Sequence, residues 1–398
     1  MGGGLLQLVA YGAQDVYLTG NPQITFFKVV YRRHTNFSIE SIIQSHNGTV
    51  GFGSRMTCQI SRNGDLLHKL YLQATIECPQ NTKMNIEKLG HYIIKTAEVE
   101  IGGQLIDRQY GIWMQIWNEL TLPSGKKDGF NKMIGDVINE TELSSSTEYK
   151  LYIPLEFWFC RNVGLALPLI ALQYHEVKIN INFNDAPDVK TTDSYGTDGT
   201  FTISSLTYKK LKFANNGAAL WADYIFLDTD ERRRFAQLSH EYLIEQVQFT
   251  GSESADATSK TRLKMSFNHP VKELVWVNMD DAKQNKKDWC VWQDQTTDKV
   301  ELQLNGNDRF APRDPKYFTL VQPYQHHTNI PAANNIGVYS FALKPEEHQP
   351  SGTLNMSRID TAQITIPQSN LAGNIYLFAH SYNVLRILSG MGGLAYSN

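Results

Sequence analysis

The densest histidine feature of the chain is the pair His326-His327. Histidine is the commonest metal-binding side chain, and a metal site inside a β-barrel needs histidines and glutamates that converge on one ion. Neighbouring side chains of a strand point to opposite faces, so two adjacent histidines cannot easily chelate the same ion. We therefore expect His326 and His327 to lie at the surface or at an interface, and we predict no metal site.

A second candidate for chemistry is the acidic group Asp228, Asp230 and Glu231, because paired carboxylates act as general acid and base in hydrolytic enzymes. Three arginines follow directly at positions 232–234, and opposite charges this close together favour ion pairs. We therefore interpret these acids as part of a structural junction and predict no catalysis there.

The other sequence patterns that carry chemistry are absent. The chain has no GxxxxGK[ST] phosphate loop, no GxSxG nucleophile elbow and no HExxH zinc helix. Its four cysteines form no CxxC pair and no metal-binding spacing, which is typical of reduced thiols in an intracellular setting; they are Cys58, Cys78, Cys160 and Cys290. We predict no catalytic residue, no cofactor and no metal, and therefore a protein that is not an enzyme.

The fractions of hydrophobic and charged residues are those of an ordinary folded protein. The 398 residues suffice for two domains, and 41% hydrophobic with 19% charged residues is normal for globular proteins. The formal net charge of −3 offers no basic excess for phosphate contacts, so direct binding of nucleic acid is not expected. We see no secretory signal at the N-terminus, and the longest uncharged apolar run, Val163–Tyr174, is too short to span a bilayer.

The predicted strands and turns, which would position these side chains, follow a pattern that repeats along the sequence. Residues 96–107, TAEVEIGGQLID, alternate as a strand that enters a Gly-Gly turn and returns, and residues 299–310, KVELQLNGNDRF, repeat this pattern around Asn-Gly. Gly103 and Gly306 are 203 positions apart. Two upstream segments match at an offset of 204, with Leu70 against Leu274 and Gln44 against Gln248. The chain therefore reads as two copies of one β-domain.

A fourth match has a smaller offset. Tyr152–Val177 resembles Tyr339–Ile364, which is an offset of 187, so the first copy holds about sixteen extra residues before this point. The polar, turn-rich segment Thr121–Tyr149 is the obvious place for a longer loop.

The predicted strands are short, and turn signals separate them, which favours an all-β fold of sandwiches or jelly rolls. In the first half they are Phe37–Ser45, Arg55–Ser61, Leu67–Glu77, Ala97–Ile101, Leu151–Phe157, His175–Phe183, Thr200–Tyr208 and Leu220–Leu227. In the second half they are Tyr242–Thr250, Arg262–Phe267, Lys272–Asn278, Val300–Leu304, Tyr317–Gln322, Gly337–Leu343, Thr361–Ile366 and Ile375–Ile387.

Helical periodicity is confined to two places. Tyr110–Leu120 has the spacing of a helix, and a short helix capped by Thr229 or Asp230 is predicted at the junction. We divide the chain into an N-terminal arm (residues 1–25), a first domain (26–228), a junction (229–239) and a second domain (240–398). The glycine-rich tail of the second domain is expected to lie across a surface. Ile24–Tyr31 is apolar and fits either a strand or a short buried helix.

Several long segments resemble one family, the double jelly-roll major capsid proteins of large icosahedral nucleocytoplasmic DNA viruses. They cover most of the chain and both of its ends: Leu8–Phe37, Ile101–Thr121, Tyr152–Ile179, Leu220–Gln237, Leu304–Phe310, Tyr339–Asp360 and Ser381–Asn398. The resemblance implies two tandem eight-stranded jelly rolls, with short helices in loops and at the domain junction.

The same resemblance implies a function and a set of partners. Three chains would form a homotrimeric, pseudo-hexagonal capsomer, and neighbouring capsomers would tile an icosahedral virion shell assembled in the host cytoplasm. The arm would face inward, near minor capsid proteins and an internal membrane that the chain does not span. The loops Asp280–Asp288 and Gln322–Ile336 are short, so tall outer towers are not expected.

Other functions remain open at this point. A carbohydrate-binding or glycan-processing β-sandwich would require a pair of carboxylates in a cleft, and the sequence shows no convincing pair. A minor capsid or vertex protein is a third possibility, although the two-domain length argues against it. Core packing is the expected role of the tryptophans at positions 113, 117, 158 and 289, with anchoring of subunit contacts as the alternative.

Overall fold

The computed structural model describes residues 34–77, 88–136, 148–191, 207–255, 260–280, 299–331, 335–366 and 373–396. The predicted arm at residues 1–25, the segment Ile24–Tyr31, Trp289, Cys78 and Cys290 lie outside these ranges. The predicted strand Thr200–Tyr208 also lies outside them, except for its last two residues.

The first half of the chain folds into a sandwich of two antiparallel sheets. One sheet has the strand order β1-β12-β4-β7, with β8 paired to β4, and the other has the order β2-β3-β9-β5-β6; β10 and β11 form a separate hairpin. The strands are β1 (Phe37–Gln44), β2 (His46–Asn47), β3 (Arg55–Gln59), β4 (Leu66–Glu77), β5 (Ile94–Ile101), β6 (Gln104–Tyr110), β7 (Glu148–Pro154), β8 (Leu167–Pro168), β9 (Val177–Phe183), β10 (Asp188–Thr191), β11 (Thr207–Lys210) and β12 (Lys212–Leu227).

The second half folds into a second sandwich of the same design. One sheet has the order β13-β21-β15-β18, with β19 on β15 and β22 on β21, and the other has the order β14-β20-β16-β17. The strands are β13 (His240–Ala255), β14 (Thr261–Met265), β15 (Pro270–Asp280), β16 (Glu301–Leu304), β17 (Asn307–Asp308), β18 (Ile336–Ser340), β19 (Leu354–Asn355), β20 (Ala362–Ile366), β21 (Gly373–Leu388) and β22 (Met391–Leu394).

The two sandwiches repeat one topology strand for strand, which confirms the predicted duplication. The order β1-β12-β4-β7 corresponds to β13-β21-β15-β18, and β3-β9-β5-β6 corresponds to β14-β20-β16-β17. Eight strands of each copy therefore correspond, as expected for a jelly roll, and the remaining strands are short additions or a separate pair. Both predicted hairpins are present, and their turns have positive φ at both central residues, Gly102-Gly103 and Asn305-Gly306. This geometry matches the right-handed twist of the flanking strands, which explains why glycine occupies the second position.

The predicted match of Tyr152–Val177 with Tyr339–Ile364 is confirmed at its centre and wrong at its start. Strand β8 pairs with the start of β4, and β19 pairs with the start of β15, so Leu167 and Leu354 are equivalent residues 187 positions apart. In β7 and β18, however, the pairing makes Tyr152 the counterpart of Ile336 and not of Tyr339.

Helices account for the main differences from the predicted strands. The helix Gly111–Thr121 confirms the predicted one with its ends shifted by a residue. The segment predicted as the strand Tyr317–Gln322 is instead a π-helix at Tyr317–Val321 that continues as an α-helix at Gln322–His326. The predicted loop Thr121–Tyr149 contains a further helix, Ser124–Ile134. Shorter helical turns lie at Leu89–Ile93, Trp158–Arg161, Val163–Leu165 and Met356–Arg358.

The junction is helical from Thr229 to Gln237, and its N-cap is Asp228 rather than Thr229 or Asp230. The Asp228 carboxylate accepts a hydrogen bond from the Thr229 amide at 2.7 Å. The glycine-rich tail does not simply lie across a surface: Met391–Leu394 forms strand β22 on β21, and Leu394 packs against the first core.

Each sandwich has its own hydrophobic core, and a third cluster joins them. The first core includes Leu70, Trp158 and Tyr224, and the second includes Trp276 and Phe318. Trp158 is 1% exposed, so its predicted core role is confirmed.

Candidate functional site

The two sandwiches meet at a joint, which we define as the helix Gly111–Thr121 seated on the outer face of the sheet β13-β21-β15-β18. Met114 points into the first core, while Trp113 and Trp117 pack against the sheet of the second sandwich. The ring centroids of Trp113 and Phe378 lie 5.4 Å apart. Both tryptophans are buried, so the joint is an internal hydrophobic interface and their predicted core role is confirmed.

Hydrogen bonds from the hairpin β5-β6 and from the glycine-rich tail fix the edges of the joint. The Val247 amide of β13 donates to the buried carboxylate of Asp107 in β6 at 3.3 Å. Burial raises the pKa of Asp107, and hydrogen bonds from Gln109 and Val247 oppose that effect. In the tail, the Gly392 amide donates to the His175 ring at 3.1 Å. These bonds connect residues far apart in sequence, and they hold the two sandwiches in one relative position.

A buried group of charges lies beside the aromatic part of the joint. Arg161 of the first sandwich donates to the Glu245 carboxylate of the second at 2.9 Å, and its guanidinium lies 4.4 Å from the centre of the Trp117 ring. Lys272 is 0% exposed and donates to the other oxygen of Glu245 at 2.8 Å. Burial lowers the pKa of Lys272, and the Glu245 carboxylate partly restores it. This carboxylate therefore binds cations from both sandwiches.

The charge group continues through two histidines. The His380 ring lies between Glu245 and Glu273, with nitrogen–oxygen distances of 3.3 and 3.1 Å. The His327 ring donates to Glu273 at 2.9 Å and contacts Glu346 at 3.0 Å. Burial opposes the charge on His327, but the Glu273 carboxylate outweighs it and raises the pKa of His327 to about 9. Burial would likewise raise the pKa of Glu273, yet the charge of His327 holds it well below its usual range.

This arrangement corrects the expectation for the histidine pair. His327 does not lie at the surface: its side chain is fully buried between two carboxylates of its own sandwich. His326 is partly exposed, and its ring contacts the Leu343 carbonyl at 3.0 Å. The two rings therefore have separate partners. Among the described residues, no group of three or more histidine, cysteine or acidic side chains has the arrangement of a metal site.

The charge group is suited to structure rather than catalysis. Glu245 and Glu273 are both buried, and the cations described above neutralise them. An acid–base pair has to reach a substrate with a group that can exchange a proton. Within the described part of the chain, these two carboxylates contact arginine, lysine and histidine side chains of the protein itself. A buried charge that loses its partner is costly, so this group fixes one arrangement of the joint.

The acids of the junction also form structural contacts. Asp228 caps the helix Thr229–Gln237, and Glu231 pairs with Arg234 at 3.4 Å. Arg232 reaches back to Asp65 of the first sandwich at 3.0 Å. The predicted use of these acids in ion pairs is therefore confirmed for Glu231.

A cleft of about 570 Å³ lies on the first sandwich and is lined in part by Arg62 and His175. The Arg62 guanidinium donates to the Leu172 carbonyl at 2.6 Å and to the His175 carbonyl at 3.2 Å. The Arg62 guanidinium, which lines the cleft, thus binds the protein's own backbone. We assign no ligand to it.

The sequence contains a signal for the buried charges. Lys272 and Glu273 interrupt the apolar strand VKELVWVNM, and His380 interrupts the apolar strand β21. A charge inside an otherwise apolar strand must find a partner when the strand is buried. Their partners, Glu245 and His327, are distant in sequence, so the pattern alone could not name them.

Two tandem eight-stranded sandwiches joined by a buried interface define a double jelly-roll protein. Comparison with known proteins agrees with this class. Residues 25–228 match the family described as the major capsid protein N-terminus, and residues 231–393 match the large eukaryotic DNA virus major capsid protein. The chain belongs to the major capsid proteins of large eukaryotic DNA viruses, and it is a structural protein of the virion.

Individual relatives extend over the whole chain. It is 53% identical to the major capsid protein of Pyramimonas orientalis virus and 42% identical to that of Paramecium bursaria Chlorella virus 1, with 100% of each chain covered. It is similar to a chain in a quasi-atomic model of the PBCV-1 virus capsid, at 36% identity and a TM-score of 0.78, covering 94% of this chain and 100% of that one. The comparisons give no support to a carbohydrate-binding or glycan-processing protein.

The Faustovirus major capsid protein is similar in fold, with a TM-score of 0.71 at 14% identity, covering 95% of this chain and 94% of that one. Within the described residues, no helix is both long enough and apolar enough to cross a membrane.

Proposed function

We propose that three copies of this chain form a pseudo-hexagonal capsomer, and that such capsomers tile an icosahedral virion shell. The observation that carries the proposal is the duplication, because each chain offers two sandwiches of the same topology. Three chains then supply six similar units, and one repeated set of contacts can build a closed symmetric assembly. The likeness to a chain of the PBCV-1 capsid supports this role.

The rest of the proposal concerns the shell environment. We divide the chain into an arm (1–25), a first domain (26–228), a junction (229–239) and a second domain (240–398). The family matches at residues 25–228 and 231–393 support a boundary near residue 229. We propose that the arm contacts minor capsid proteins on the inner side, near an internal membrane that the chain does not span. The net charge of −3 favours a protein without direct contact to nucleic acid.

We also propose that the protein is not an enzyme, because the acids and histidines of the joint are engaged in internal contacts. Assembly in the host cytoplasm is supported by Cys58 and Cys160, which are buried free thiols. Free thiols are the usual state of cysteine in a reducing compartment.

Light scattering of the purified protein tests the capsomer directly. A trimer of 45.2 kDa chains has a mass of about 136 kDa. On mild heating we expect the trimeric mass and the folded signal to disappear together, as they do in obligate oligomers. A folded, stable monomer over the whole concentration range would contradict the proposal.

A further inference from the structure

The ring of His380 lies where polar groups of the two sandwiches meet. Its Nδ1 is 3.1 Å from a carboxylate oxygen of Glu273. Its Nε2 is 3.3 Å from the Arg161 guanidinium and also 3.3 Å from a carboxylate oxygen of Glu245. His380 is 0% exposed, and the ring of Trp117 packs edge-on against it at a centroid distance of 5.0 Å. Because solvent does not reach the ring, these three charged groups are its polar surroundings.

The partners of the ring decide which nitrogen carries the hydrogen when His380 is neutral. An ionised carboxylate only accepts hydrogen bonds, so Nδ1 has a hydrogen that it donates to Glu273. A guanidinium only donates, so the hydrogen bond from Arg161 requires an Nε2 without a hydrogen. The neutral ring with its hydrogen on Nδ1 satisfies both contacts at once.

The Arg161 guanidinium divides its hydrogen bonds between the two sandwiches. Its Nε and Nη2 donate to the Glu156 carbonyl of the first sandwich at 3.1 and 2.9 Å. Its Nη1 donates to Glu245 at 2.9 Å and to Nε2 of His380 at 3.3 Å, and both of these residues belong to the second sandwich. Among the described contacts, Nη1 is therefore the donor through which Arg161 links the sandwiches.

A second proton on His380 opposes this link. The added hydrogen on Nε2 points at Nη1 of Arg161 and brings two positive charges together in a buried site. The imidazolium can donate to Glu245 instead, because the carboxylate oxygen that binds Arg161 is also 3.3 Å from Nε2. The other oxygen of Glu245 already faces Lys272 at 2.8 Å and His348 at 3.4 Å, so it offers Arg161 no free position. Protonation thus replaces a bond between the sandwiches by a bond within the second one.

Further ionisable groups surround the three partners of the ring. They are His327 and Glu346 beyond Glu273, Lys272 and His348 beyond Glu245, and Glu156 and Asp107 beyond Arg161. Histidine is the side chain that ordinarily changes charge between about pH 8 and about pH 5. His327 keeps its charge over most of this range because its pKa is raised to about 9.

We propose that His380 is a proton-sensitive latch of the joint: the neutral ring holds Arg161 on the second sandwich, and the protonated ring releases it. Each chain is then more rigid at neutral pH and loosens at the joint in an acidic compartment. The packing of Trp113 and Trp117 on the second sandwich remains, so the loosening is local and the sandwiches stay together. All these groups belong to one chain, so the inference does not rest on the proposed capsomer.

Hydrogen–deuterium exchange of the purified protein, read by mass spectrometry at about pH 7.5 and about pH 5, tests the latch. Peptides with the helical turn Trp158–Arg161 report on the link, and the Cys160 amide in this turn donates to the Phe157 carbonyl at 2.9 Å. After correction for the intrinsic exchange rate at each pH, we expect the protection of this turn to fall about tenfold on acidification. That is the effect of losing one charge-assisted hydrogen bond. The core strand β9 should keep its protection.

Two histidine variants identify the titrating group. His380→Gln removes the titration but keeps a carbonyl oxygen that can accept from Arg161 at every pH, so the turn should stay protected at about pH 5. His175→Gln is the matched control, because His175 also links the two sandwiches, through the Gly392 backbone rather than through Arg161. It should keep the wild-type response. Circular dichroism checks that both variants are folded.

A third variant covers the case in which His380→Gln does not fold. Arg161→Gln removes the link itself, so the turn should exchange rapidly at both pH values and show no further loss of protection on acidification. A full tenfold response in Arg161→Gln would overturn the latch.

The remaining outcomes are equally decisive. Wild-type protection that is equal at both pH values would overturn the latch. A response that persists in folded His380→Gln would overturn it too, and would point to His348 or to Glu156 and Asp107, whose pKa values are raised by burial. A response lost in His175→Gln would show a general loosening of the joint in place of the release of Arg161. None of these results depends on the number of chains in the oligomer.

Discussion

The buried histidine His327 offers a quantitative test of the charge group at the joint. Its ring lies between the carboxylates of Glu273 and Glu346, and its pKa is raised to about 9. We predict that His327→Gln removes a specific part of the pH dependence of stability. Glutamine is close in size and can still donate one hydrogen bond, so the main loss is the positive charge.

The magnitude follows from the difference between the folded and unfolded states. Histidine has a pKa of about 6.5 in the unfolded chain, so His327 stabilises the fold fully below about pH 6 and loses this contribution as the pH rises through 9. A pKa that is higher by about 2.5 in the folded state corresponds to about 3 kcal/mol of unfolding free energy. Glu273 stays ionised over this range, because its pKa is held well below its usual value.

Urea unfolding of the wild type and of His327→Gln between pH 6 and pH 9.5 measures the effect. Other groups also titrate in this range, so the prediction concerns the difference: the wild type should lose about 3 kcal/mol more than the variant. His326→Gln is the matched control, because the neighbouring ring is partly exposed and contacts only a carbonyl group among the described partners. If the unfolding free energies of His327→Gln and His326→Gln both depend on pH as that of the wild type does, the assignment of the His327–Glu273 charge pair is wrong.

Three further predictions address the joint, the junction and the thiols. Trp117→Ala should lower the unfolding free energy by about 3–5 kcal/mol, whereas Trp117→Phe should lower it less because it keeps much of the packing. Equal losses of unfolding free energy for the two variants in denaturant melts would contradict a packing role. Asp228→Ala should cost about 1 kcal/mol through the lost N-cap, and Asp228→Asn much less; a thermal melt unchanged by alanine would refute the cap. Cys58 and Cys160 should resist a thiol reagent at pH 8 until the protein unfolds, because burial raises the pKa of both thiols, that of Cys58 to about 12. Labelling of either thiol in the native protein, detected by peptide mass spectrometry, would contradict this prediction.

The duplication was predictable because turns and alternation survive in both copies even where individual residues differ. The hairpin around Gly103 reappears around Gly306, since both turns need positive φ and glycine reaches it at little cost. The common strand order of the two sandwiches then follows from the repeat. Strand ends were less predictable: β13 extends from His240 to Ala255 and so is longer than its apolar pattern indicated.

The missed helix at Tyr317–His326 shows where local pattern fails. YFTLVQ is rich in aromatic and β-branched residues, which favour strands. Its helical state comes from packing of Phe318 into the second core, as Met114 packs into the first. Shifting the predicted helix Tyr110–Leu120 by 204 positions would have placed a helix at 314–324, so the repeat held the signal that local propensity obscured.

The charge group at the joint could be predicted only in part. Lys272 and Glu273 stand out as charges in an apolar strand, but the pairing of Glu245 with Arg161 depends on how the two sandwiches pack. His327 was expected at the surface or at an interface because two adjacent histidines of a strand cannot easily chelate one ion. The fold instead buries its side chain against Glu273 of β15. Tertiary contacts between distant segments decide such positions.

A reconstruction of the purified oligomer by electron cryo-microscopy tests the account most directly. It should show three chains in a ring of six sandwiches. Single chains, or an oligomer with a number of chains other than three, would contradict it.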